Sequence, residues 1–362
     1  MSNYKLCGVE LKSPFIIGSG PLSYGAEGII RLSEAGAGAV VTKTIRLNAC
    51  INPVPHIAKS SGNTLINCEK WSDLPPEKWI DEEIPKAKKA GAVVIASLGH
   101  TVEETSALIE KVAGAGADMI ELVSYSGKDM LPMVKDAKRR VGIPVFVKLS
   151  PNWTDYLAVA GECAAAGADG FTAFDSIGPV LRIDIRTGRP FMGGSEGNGW
   201  LSGEGIRPMI LQKVAELRRE YNGPVIGLGG VFSAEDAVEM LMAGADFIGI
   251  CSVLILKGAN YLKRLTADFK GLTKKLGYNS LAEITSLSHK YLYPGDITGK
   301  LEFSFYRELC NGCGSCERVC SYEARTISRE RDMSFYEEKC RYCGACCSLC
   351  NTGALKATLI GD

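Results

Sequence analysis

The tripeptide Gly-Ala-Asp occurs three times in the first part of the chain and places a narrow limit on its fold. The copies begin at Gly116, Gly167 and Gly244, and looser versions begin at Gly36 and Gly91. Each copy follows an alanine-rich helical pattern and precedes a short apolar run. Glycine ends a helix readily because it adopts a left-handed conformation without a Cβ clash. Apolar runs without alternation are typical of strands buried on both faces, so the repeat predicts helices alternating with parallel strands.

Eight such apolar runs follow one another along the chain. They cover residues 15–19, 39–44, 93–98, 119–123, 144–149, 170–174, 224–228 and 247–251. Eight parallel strands joined by crossover helices form a (β/α)8 TIM barrel. The alternative is an open doubly wound sheet, which would carry a G-x-G-x-x-G fingerprint after its first strand. Gly18-Ser19-Gly20 is followed by Pro21 and Leu22, so the fingerprint is missing and we predict the barrel.

The cysteines are concentrated near the end of the chain. Nine of the 14 fall within residues 310–350, and eight of these form two C-x2-C-x2-C-x3-C runs. Bacterial two-cluster ferredoxins have this spacing, and the fourth cysteine of each run ligates the other cluster. The predicted ligand sets of the two [4Fe–4S] clusters are Cys310, Cys313, Cys316 and Cys350, and Cys340, Cys343, Cys346 and Cys320. Zinc is the alternative for paired C-x2-C, but two tightly spaced quartets favour clusters. Cys347 is left over, with packing as its simplest role.

These patterns predict two domains, a barrel over residues 1–300 and a ferredoxin-like domain over residues 301–362. Lys plus Arg and Asp plus Glu both number 41, so the formal net charge is zero. This balance gives no electrostatic reason to expect nucleic acid or an anionic membrane as a partner. The N-terminal residues lack the apolar core of a signal peptide, and no stretch reaches the ~18 apolar residues of a membrane span. We therefore expect a cytoplasmic protein.

The ends of the predicted strands carry residues that suit an anionic cofactor. In a (β/α)8 barrel the active site lies at the carboxyl ends of the strands. Lys43 and Lys148 stand there, where a lysine either reaches solvent or holds a buried anion or an electron-rich ring. Two of them facing one cavity favour the second role. The GLGG run at 227–230 and Ser252 match the phosphate site that follows the last two strands of such barrels. Together they predict a phosphate-bearing cofactor such as FMN.

The chain resembles the dihydroorotate dehydrogenase superfamily over essentially its whole length. The resemblance rests on VTKT (41–44), NCE (67–69), VKLSPNWTD (147–155), LSGEGIRP (201–208), GLGGV (227–231) and ICS (250–252), in that order. Within the superfamily, the chain resembles the dihydropyrimidine dehydrogenases, because a flavin barrel is followed by a two-cluster ferredoxin-like tail. The resemblance implies an oxidoreductase that uses FMN and iron–sulfur clusters on an activated CH–CH or C=C bond of a small molecule.

The resemblance also implies roles for individual residues. The implied FMN shell is Gly18, Ser19, Lys43, Thr44, Lys148, Ser202, Gly203, Gly229, Gly230, Cys251 and Ser252. Lys43 and Lys148 would lie near the flavin ring, where a cation stabilises the anionic reduced form. The loop residue that moves a proton falls on Ser126. The implied substrate-binding residues are Asn67, Glu69, Asp175 and Ser176.

The substrate site departs from the family pattern at two strand ends. Val123 replaces the usual asparagine of the fourth strand, and Asp175-Ser176 replaces the asparagine-threonine pair of the sixth. Asparagines hold the amides of a pyrimidine, so their loss removes complementary hydrogen bonds. We expect a substrate other than uracil or orotate. Asp175 would tolerate a cation or an N–H donor; the alternative is that it pairs with a neighbouring arginine such as Arg182.

The active-site loop and the electron partner complete the sequence-based picture. The loop after Ser126 is short, since a helical pattern begins near Met130, and a short lid implies a more open pocket. The chain lacks an FAD or NAD(P) fingerprint, so its electron partner would be a ferredoxin or a separate NAD(P)H-oxidising flavoprotein subunit. The superfamily also implies a homo-oligomer.

A second hypothesis assigns the chain no substrate chemistry of its own. It would then be an electron-transfer subunit of a larger complex. Val123 and the short loop favour this hypothesis, whereas Asn67, Glu69 and Ser126 favour an enzyme.

Overall fold

A computed structural model describes residues 4–292 and 294–360. The chain separates into two compact units, Met1–Tyr291 and Leu292–Asp362. Within the described ranges, no helix is both long enough and apolar enough to cross a lipid bilayer.

The described part of the first unit contains fourteen strands. In chain order they are β1 (Tyr4–Leu6), β2 (Val9–Leu11), β3 (Phe15–Ile17), β4 (Ala39–Val41), β5 (Ile57–Lys59), β6 (Thr64–Asn67), β7 (Val94–Gly99), β8 (Met119–Val123), β9 (Val145–Leu149), β10 (Gly170–Ala173), β11 (Ile177–Val180), β12 (Gly199–Gly203), β13 (Val225–Leu228) and β14 (Phe247–Ile250). Eight of them close into a barrel in the order β3-β4-β7-β8-β9-β10-β13-β14, and all neighbouring pairs are parallel. Each barrel strand coincides with one of the predicted apolar runs, so the predicted (β/α)8 barrel is confirmed.

Helices connect the barrel strands. They are α1 (Ala26–Glu34), α2 (Pro76–Lys78), α3 (Ile84–Lys89), α4 (Val102–Gly114), α5 (Gly127–Arg140), α6 (Tyr156–Ala165), α7 (Arg207–Glu220), α8 (Ala234–Met242), α9 (Ser252–Lys257) and α10 (Tyr261–Lys275). A π-helical segment, Trp79–Glu83, joins α2 to α3. Trp79 is fully buried, and its ring N–H donates to Ser72 Oγ at 2.7 Å, which fixes the loop before it.

The Gly-Ala-Asp repeat has one structural role at all three copies. In each copy the aspartate directly precedes one barrel strand. It accepts a hydrogen bond from the first backbone N–H of the neighbouring strand. It also forms an ion pair with a basic side chain of the helix that leads into that neighbouring strand. The sets are Asp118 with Val94 and Lys88, Asp169 with Val145 and Lys138, and Asp246 with Val225 and Arg218. These contacts lie at the amino ends of the strands, the face of a (β/α)8 barrel that serves stability.

An antiparallel sheet, β11-β12-β6-β5, stands beside the barrel and is absent from the sequence-based prediction. Its strands belong to two insertions, one between β4 and β7 and the other between β10 and β13. Both insertions leave the barrel at the carboxyl ends of strands. The sheet therefore lies on the side where the active site was predicted.

The second unit is built from two similar halves. Its elements are β15 (Lys300–Phe305), α11 (Ser315–Arg318), β16 (Arg325–Ile327), β17 (Met333–Phe335), α12 (Ala345–Ser348) and β18 (Leu355–Ile360). β15 pairs with β18 and β16 with β17, both antiparallel. A shift of 30 residues relates α11 to α12, and a left-handed glycine precedes each of them, Gly314 and Gly344. The repeated cysteine spacing thus corresponds to a repeated backbone.

Candidate active site and cluster sites

Two adjoining cavities open at the carboxyl ends of the barrel strands. The smaller has a volume of about 130 Å³ and the larger about 540 Å³. Residues of the barrel and of the antiparallel sheet line both of them. The side chains of Asn67, Glu69, Lys148 and Asp175 belong to both linings, so they lie where the cavities meet.

Most of the residues predicted for the site line these cavities. The predicted residues on the smaller cavity are Ser19, Asn67, Glu69, Lys148, Asp175, Ser176, Ser202, Gly203, Gly229, Gly230, Cys251 and Ser252. Lys43 and Thr44 line the larger cavity. Gly18 and Ser126 line neither. Chain positions separated by more than 200 residues therefore meet at one place.

Lys43 follows β4 and is almost completely buried, with 5% of its surface exposed. Its ammonium group lies 2.9 Å from Glu69 Oε1, and the Glu69 side chain is itself only 11% exposed. A buried ammonium needs such a partner, since removal from water is otherwise very costly. The neighbouring hydroxyls of Thr44 and Ser97 lie 2.9 Å apart and fix the strand end.

Lys148 lies within β9 and is 8% exposed. Its Nζ is 3.2 Å from Asp175 Oδ1. Burial by itself would lower the pKa of Lys148, but the carboxylates of Asp175 and Glu121 outweigh burial and raise it. Lys148 therefore carries a positive charge at neutral pH. The alternative partner predicted for Asp175, Arg182, does not pair with it among the described residues: the Arg182 guanidinium instead lies 4.3 Å from the ring centroid of Phe191.

Glu121 stands behind Lys148 inside the barrel and is 1% exposed. One carboxyl oxygen accepts a hydrogen bond of 2.7 Å from Thr172 Oγ1, and the other has no partner. Burial raises the pKa of Glu121, and the charge of Lys148 opposes this rise. Sequence analysis passed over this residue because it lies in mid-strand rather than at a strand end.

The far end of the smaller cavity is suited to a phosphate group. Gly229 and Gly230 have φ values of +143° and +81°, and a Cβ at Gly230 would lie 2.5 Å from Arg207 Cβ. Only glycine fits this turn, which leaves backbone N–H groups beside the cavity. Ser252 Oγ donates to Ser202 Oγ at 3.0 Å, so two hydroxyls meet there. Burial raises the pKa of the adjacent Cys251 to about 12, so this cysteine is a neutral thiol.

The loop after β8 differs from its prediction in detail. α5 begins at Gly127, directly after Ser126, so the loop is even shorter than the sequence indicated. Ser124, 6% exposed, lines the larger cavity, and its hydroxyl donates to Asp129 Oδ2 at 3.1 Å. The indole N–H of Trp153 donates to the carbonyl of Tyr125 at 3.0 Å and holds the loop.

Three aromatic residues outside the predicted FMN and substrate sets line the larger cavity. They are Trp71, Tyr125 and Trp200. The ring centroids of Trp71 and Tyr125 lie 4.8 Å apart, and Trp71 also stacks on His100 at 5.9 Å. Trp71 and Trp200 come from the two insertions, whose strands the sequence did not reveal. Of the three, only Tyr125 could be connected with the site from the sequence, because it lies in the loop that follows β8.

The residues around the two cavities fit FMN by their chemistry. The glycine turn with Ser202 and Ser252 can hold a phosphate group, and the two buried ammonium groups can face an electron-rich ring. Lys148 belongs to the lining that both cavities share and Lys43 lines the larger cavity, which leaves room there for a substrate.

The second unit contains a cavity of about 20 Å³ lined by cysteines of both runs. These cysteines are Cys320, Cys340, Cys343 and Cys346. Backbone N–H groups point at sulfur in both halves: Ala324 donates to Cys320 Sγ and Leu355 to Cys350 Sγ, each at 3.3 Å. Such hydrogen bonds to sulfur are a feature of iron–sulfur sites and influence their potentials.

The fold and the site define a class of protein: a (β/α)8 barrel with a flavin-type site at its strand ends, joined to a cysteine-rich iron–sulfur unit. The family model described as dihydroorotate dehydrogenase matches residues 1–273, and the model described as a 4Fe-4S binding domain matches residues 303–326. The chain belongs to the dihydroorotate dehydrogenase family. It is accordingly an oxidoreductase of the flavoprotein class with an iron–sulfur domain.

Several named relatives are similar to this chain. The catalytic subunit of dihydroorotate dehydrogenase B (NAD(+)) from Methanothermobacter thermautotrophicus is 32% identical over 308 residues, which cover 80% of this chain and 99% of the relative. The subunit of the same name from Pyrococcus abyssi is 32% identical over 312 residues, 80% of this chain and 100% of the relative. That from Methanocaldococcus jannaschii is 30% identical over 310 residues, 80% and 99%. These findings support the superfamily, and the narrower likeness to dihydropyrimidine dehydrogenases rests on the tail alone.

Proposed function

We propose that the protein is an FMN- and iron–sulfur-dependent dehydrogenase or reductase of an activated CH–CH or C=C bond in a small molecule. The observation that carries this proposal is the pair of buried lysines, each paired with a carboxylate that lies where the two cavities meet. One cavity has a phosphate-type end, and the other is open for a substrate. Bound FMN would accept or give the hydride and couple two-electron to one-electron chemistry.

The lysines would orient and neutralise the electron-rich edge of the flavin. Lys43 and Lys148 would do so because their ammonium groups are held in place by Glu69 and Asp175. Ser19, Thr44, Gly203 and the glycine turn would complete the FMN shell.

A group beside the flavin must move the substrate proton, and the loop after β8 is the proposed source. Family position favours Ser126, whereas cavity lining favours Ser124. The Ser124 hydroxyl already donates to Asp129, so the carboxylate could accept its proton when Ser124 takes one from the substrate. We therefore place the proton transfer on residues 124–126, with Ser124 in contact with the cavity.

The substrate is proposed to differ from that of the named relatives. Their names specify dihydroorotate. Here Val123 lines the larger cavity in place of an amide side chain. Asp175 and Ser176 replace an asparagine-threonine pair, and Trp71, Tyr125 and Trp200 form aromatic walls. Such walls favour a planar, unsaturated substrate with N–H donors for Asn67 and Asp175.

Electrons would pass through two [4Fe–4S] clusters to or from an external partner. The ligand sets are those predicted from the spacing, Cys310, Cys313, Cys316 with Cys350, and Cys340, Cys343, Cys346 with Cys320. The second of these sets lines one cavity, which supports the proposal. The relatives are named catalytic subunits, which favours a separate electron-transfer subunit as the partner over a free ferredoxin.

The test uses the anaerobically purified full chain. We expect bound FMN and about eight iron atoms per chain. The flavin is then photoreduced and mixed, in separate reactions, with orotate, with uracil and with each of a panel of unsaturated ring compounds. Reoxidation by a compound other than orotate or uracil is expected. Zinc without flavin would overturn the cofactor assignment, and reoxidation by ferredoxin but by no unsaturated compound would favour the electron-transfer subunit.

A further inference from the structure

Arg325 is a buried arginine in the cysteine-rich unit. It begins β16 and is only 3% exposed. One guanidinium nitrogen donates to the sulfur of Met333 at 3.2 Å, and Nη2 has no partner. Among the residues the structure describes, no carboxylate forms an ion pair with Arg325. A permanently charged group is thus removed from water without an anion beside it.

Two aromatic rings enclose the guanidinium group. Its Cζ lies 4.1 Å from the ring centroid of Phe303 and 4.3 Å from that of Phe335. The two rings meet edge to face at 5.3 Å. The quadrupole of an aromatic face attracts a cation but does not neutralise it. A buried cation normally requires a full negative charge nearby, so the surroundings of Arg325 are electrostatically incomplete.

The missing negative charge has a natural source in the adjoining cavity. Arg325 and Phe303 line this cavity together with Cys320, Cys340 and Cys346. Cys343 completes the lining quartet. Four thiolates around an iron–sulfur core give a net negative group, and that group gains one further negative charge when it is reduced.

The internal repeat shows that packing does not require an arginine at this position. A shift of 30 residues places Arg325 on Leu355, which is 2% exposed. Arg325 pairs across its strands with Phe335, and Leu355 pairs in the same way with Phe305. Both residues follow a buried alanine, Ala324 and its counterpart in the second half. The apolar residue fits the same backbone, so the charge itself distinguishes the two halves.

We propose that Arg325 is a positioning residue that raises the reduction potential of the cluster held by Cys320, Cys340, Cys343 and Cys346. The cluster takes up one electron without bond formation, and the fixed positive charge stabilises the added negative charge. The other half has leucine at the equivalent position, so the two clusters differ in reduction potential. The cluster beside Arg325 has the higher potential and is the first to be reduced. This inference rests on the proposed two-cluster assignment.

The experiment is a redox titration of the anaerobically prepared full chain, followed by electron paramagnetic resonance. Arg325→Leu imports the residue of the other half, Arg325→Gln is a neutral polar replacement, and Arg325→Lys retains the charge. Arg329→Leu is the matched control, because it removes the same charge from an exposed position. We expect the Leu and Gln variants to shift the reduction equilibrium of one cluster about tenfold toward the oxidised form, about 59 mV for one electron. The Lys variant and the Arg329 control should stay near the parent.

The outcomes separate this inference from the proposed function. A neutral variant that keeps all its iron and both potentials would overturn the role of Arg325, as would an equal shift in the Arg329 control. If both neutral variants lost one cluster while Arg325→Lys kept it, the charge would serve assembly and the tuning proposal would fail. A parent protein with fewer than two clusters would instead overturn the cofactor assignment on which the inference rests.

Discussion

The two-glycine turn after β13 allows a sharp test of how the phosphate end of the site is built. Gly230 has a φ of +81°, and an added Cβ would lie 2.5 Å from Cβ, 2.9 Å from Cα and 3.0 Å from the backbone N of Arg207. Gly258 has the same φ of +81°, yet an added Cβ there meets nothing within 4 Å. Both glycines therefore have a positive φ that alanine adopts only with strain, and only Gly230 is also sterically crowded. Alanine at each position separates the two effects.

The magnitudes follow from these distances. Forcing a side chain into a positive-φ conformation of this kind costs about 1–3 kcal/mol, and this is the whole effect expected for Gly258→Ala. Gly230→Ala adds an overlap with the start of α7, which has to shift, and overpacking of this kind costs about 1–3 kcal/mol more. Gly230→Ala should therefore lower the free energy of unfolding by about 2–6 kcal/mol. Displacement of the turn should also weaken FMN binding about tenfold or more, since tenfold corresponds to about 1.4 kcal/mol.

The assay measures two properties of each variant. Urea unfolding of the flavin-free protein gives the free energy of unfolding, and quenching of FMN fluorescence gives the dissociation constant. We expect Gly258→Ala to keep the parent affinity for FMN. Equal destabilisation by the two substitutions would refute the steric argument. Unchanged FMN affinity in a folded Gly230→Ala protein would refute the assignment of the turn to the phosphate.

Three further predictions concern the proton-transfer loop, the barrel interior and the spare cysteine. Ser124→Ala should slow reoxidation of the photoreduced flavin by its unsaturated substrate about 100-fold. Ser126→Ala should slow it much less. If stopped-flow measurements showed the larger effect for Ser126→Ala, Ser126 rather than Ser124 would be the proton-transfer residue. Burial holds the pKa of Glu121 above its unfolded value of about 4.3, so its contribution to stability is complete below that pH and is lost as the pH rises through the folded pKa. Glu121→Gln should consequently gain stability relative to the parent as the pH rises, and a flat difference in urea unfolding across a pH series would contradict this. Cys347→Ser should retain the parent iron content by colorimetric assay, whereas Cys346→Ser should lose iron; equal losses would make Cys347 a ligand.

Periodicity and spacing along the chain were sufficient for the larger features of this protein. The eight barrel strands were predictable because buried parallel strands are short apolar runs, and glycine marks each helix end before them. Positions at the ends of predicted strands were enough to assign Lys43, Lys148 and the glycine turn to one site. All carboxyl ends of the strands in a (β/α)8 barrel face the same side. The cysteine runs were informative for a similar reason: ligand spacing is a local property of the chain.

The tertiary structure decided what depends on contacts between distant segments. Asn67 reaches the backbone carbonyl of Trp200, 133 residues away, only because two insertions pair as one antiparallel sheet, and neither insertion carries a clear strand pattern. Asp175 pairs with Lys148 rather than with its sequence neighbour Arg182, because side chains at adjacent strand ends lie closer than residues along a loop. The burial of Arg325 likewise depends on Phe335, its cross-strand partner, and on Phe303, which comes from the other sheet of the unit. Local patterns therefore determined the elements and their ends, whereas partners, cavities and buried charges arose from packing, which no local pattern records.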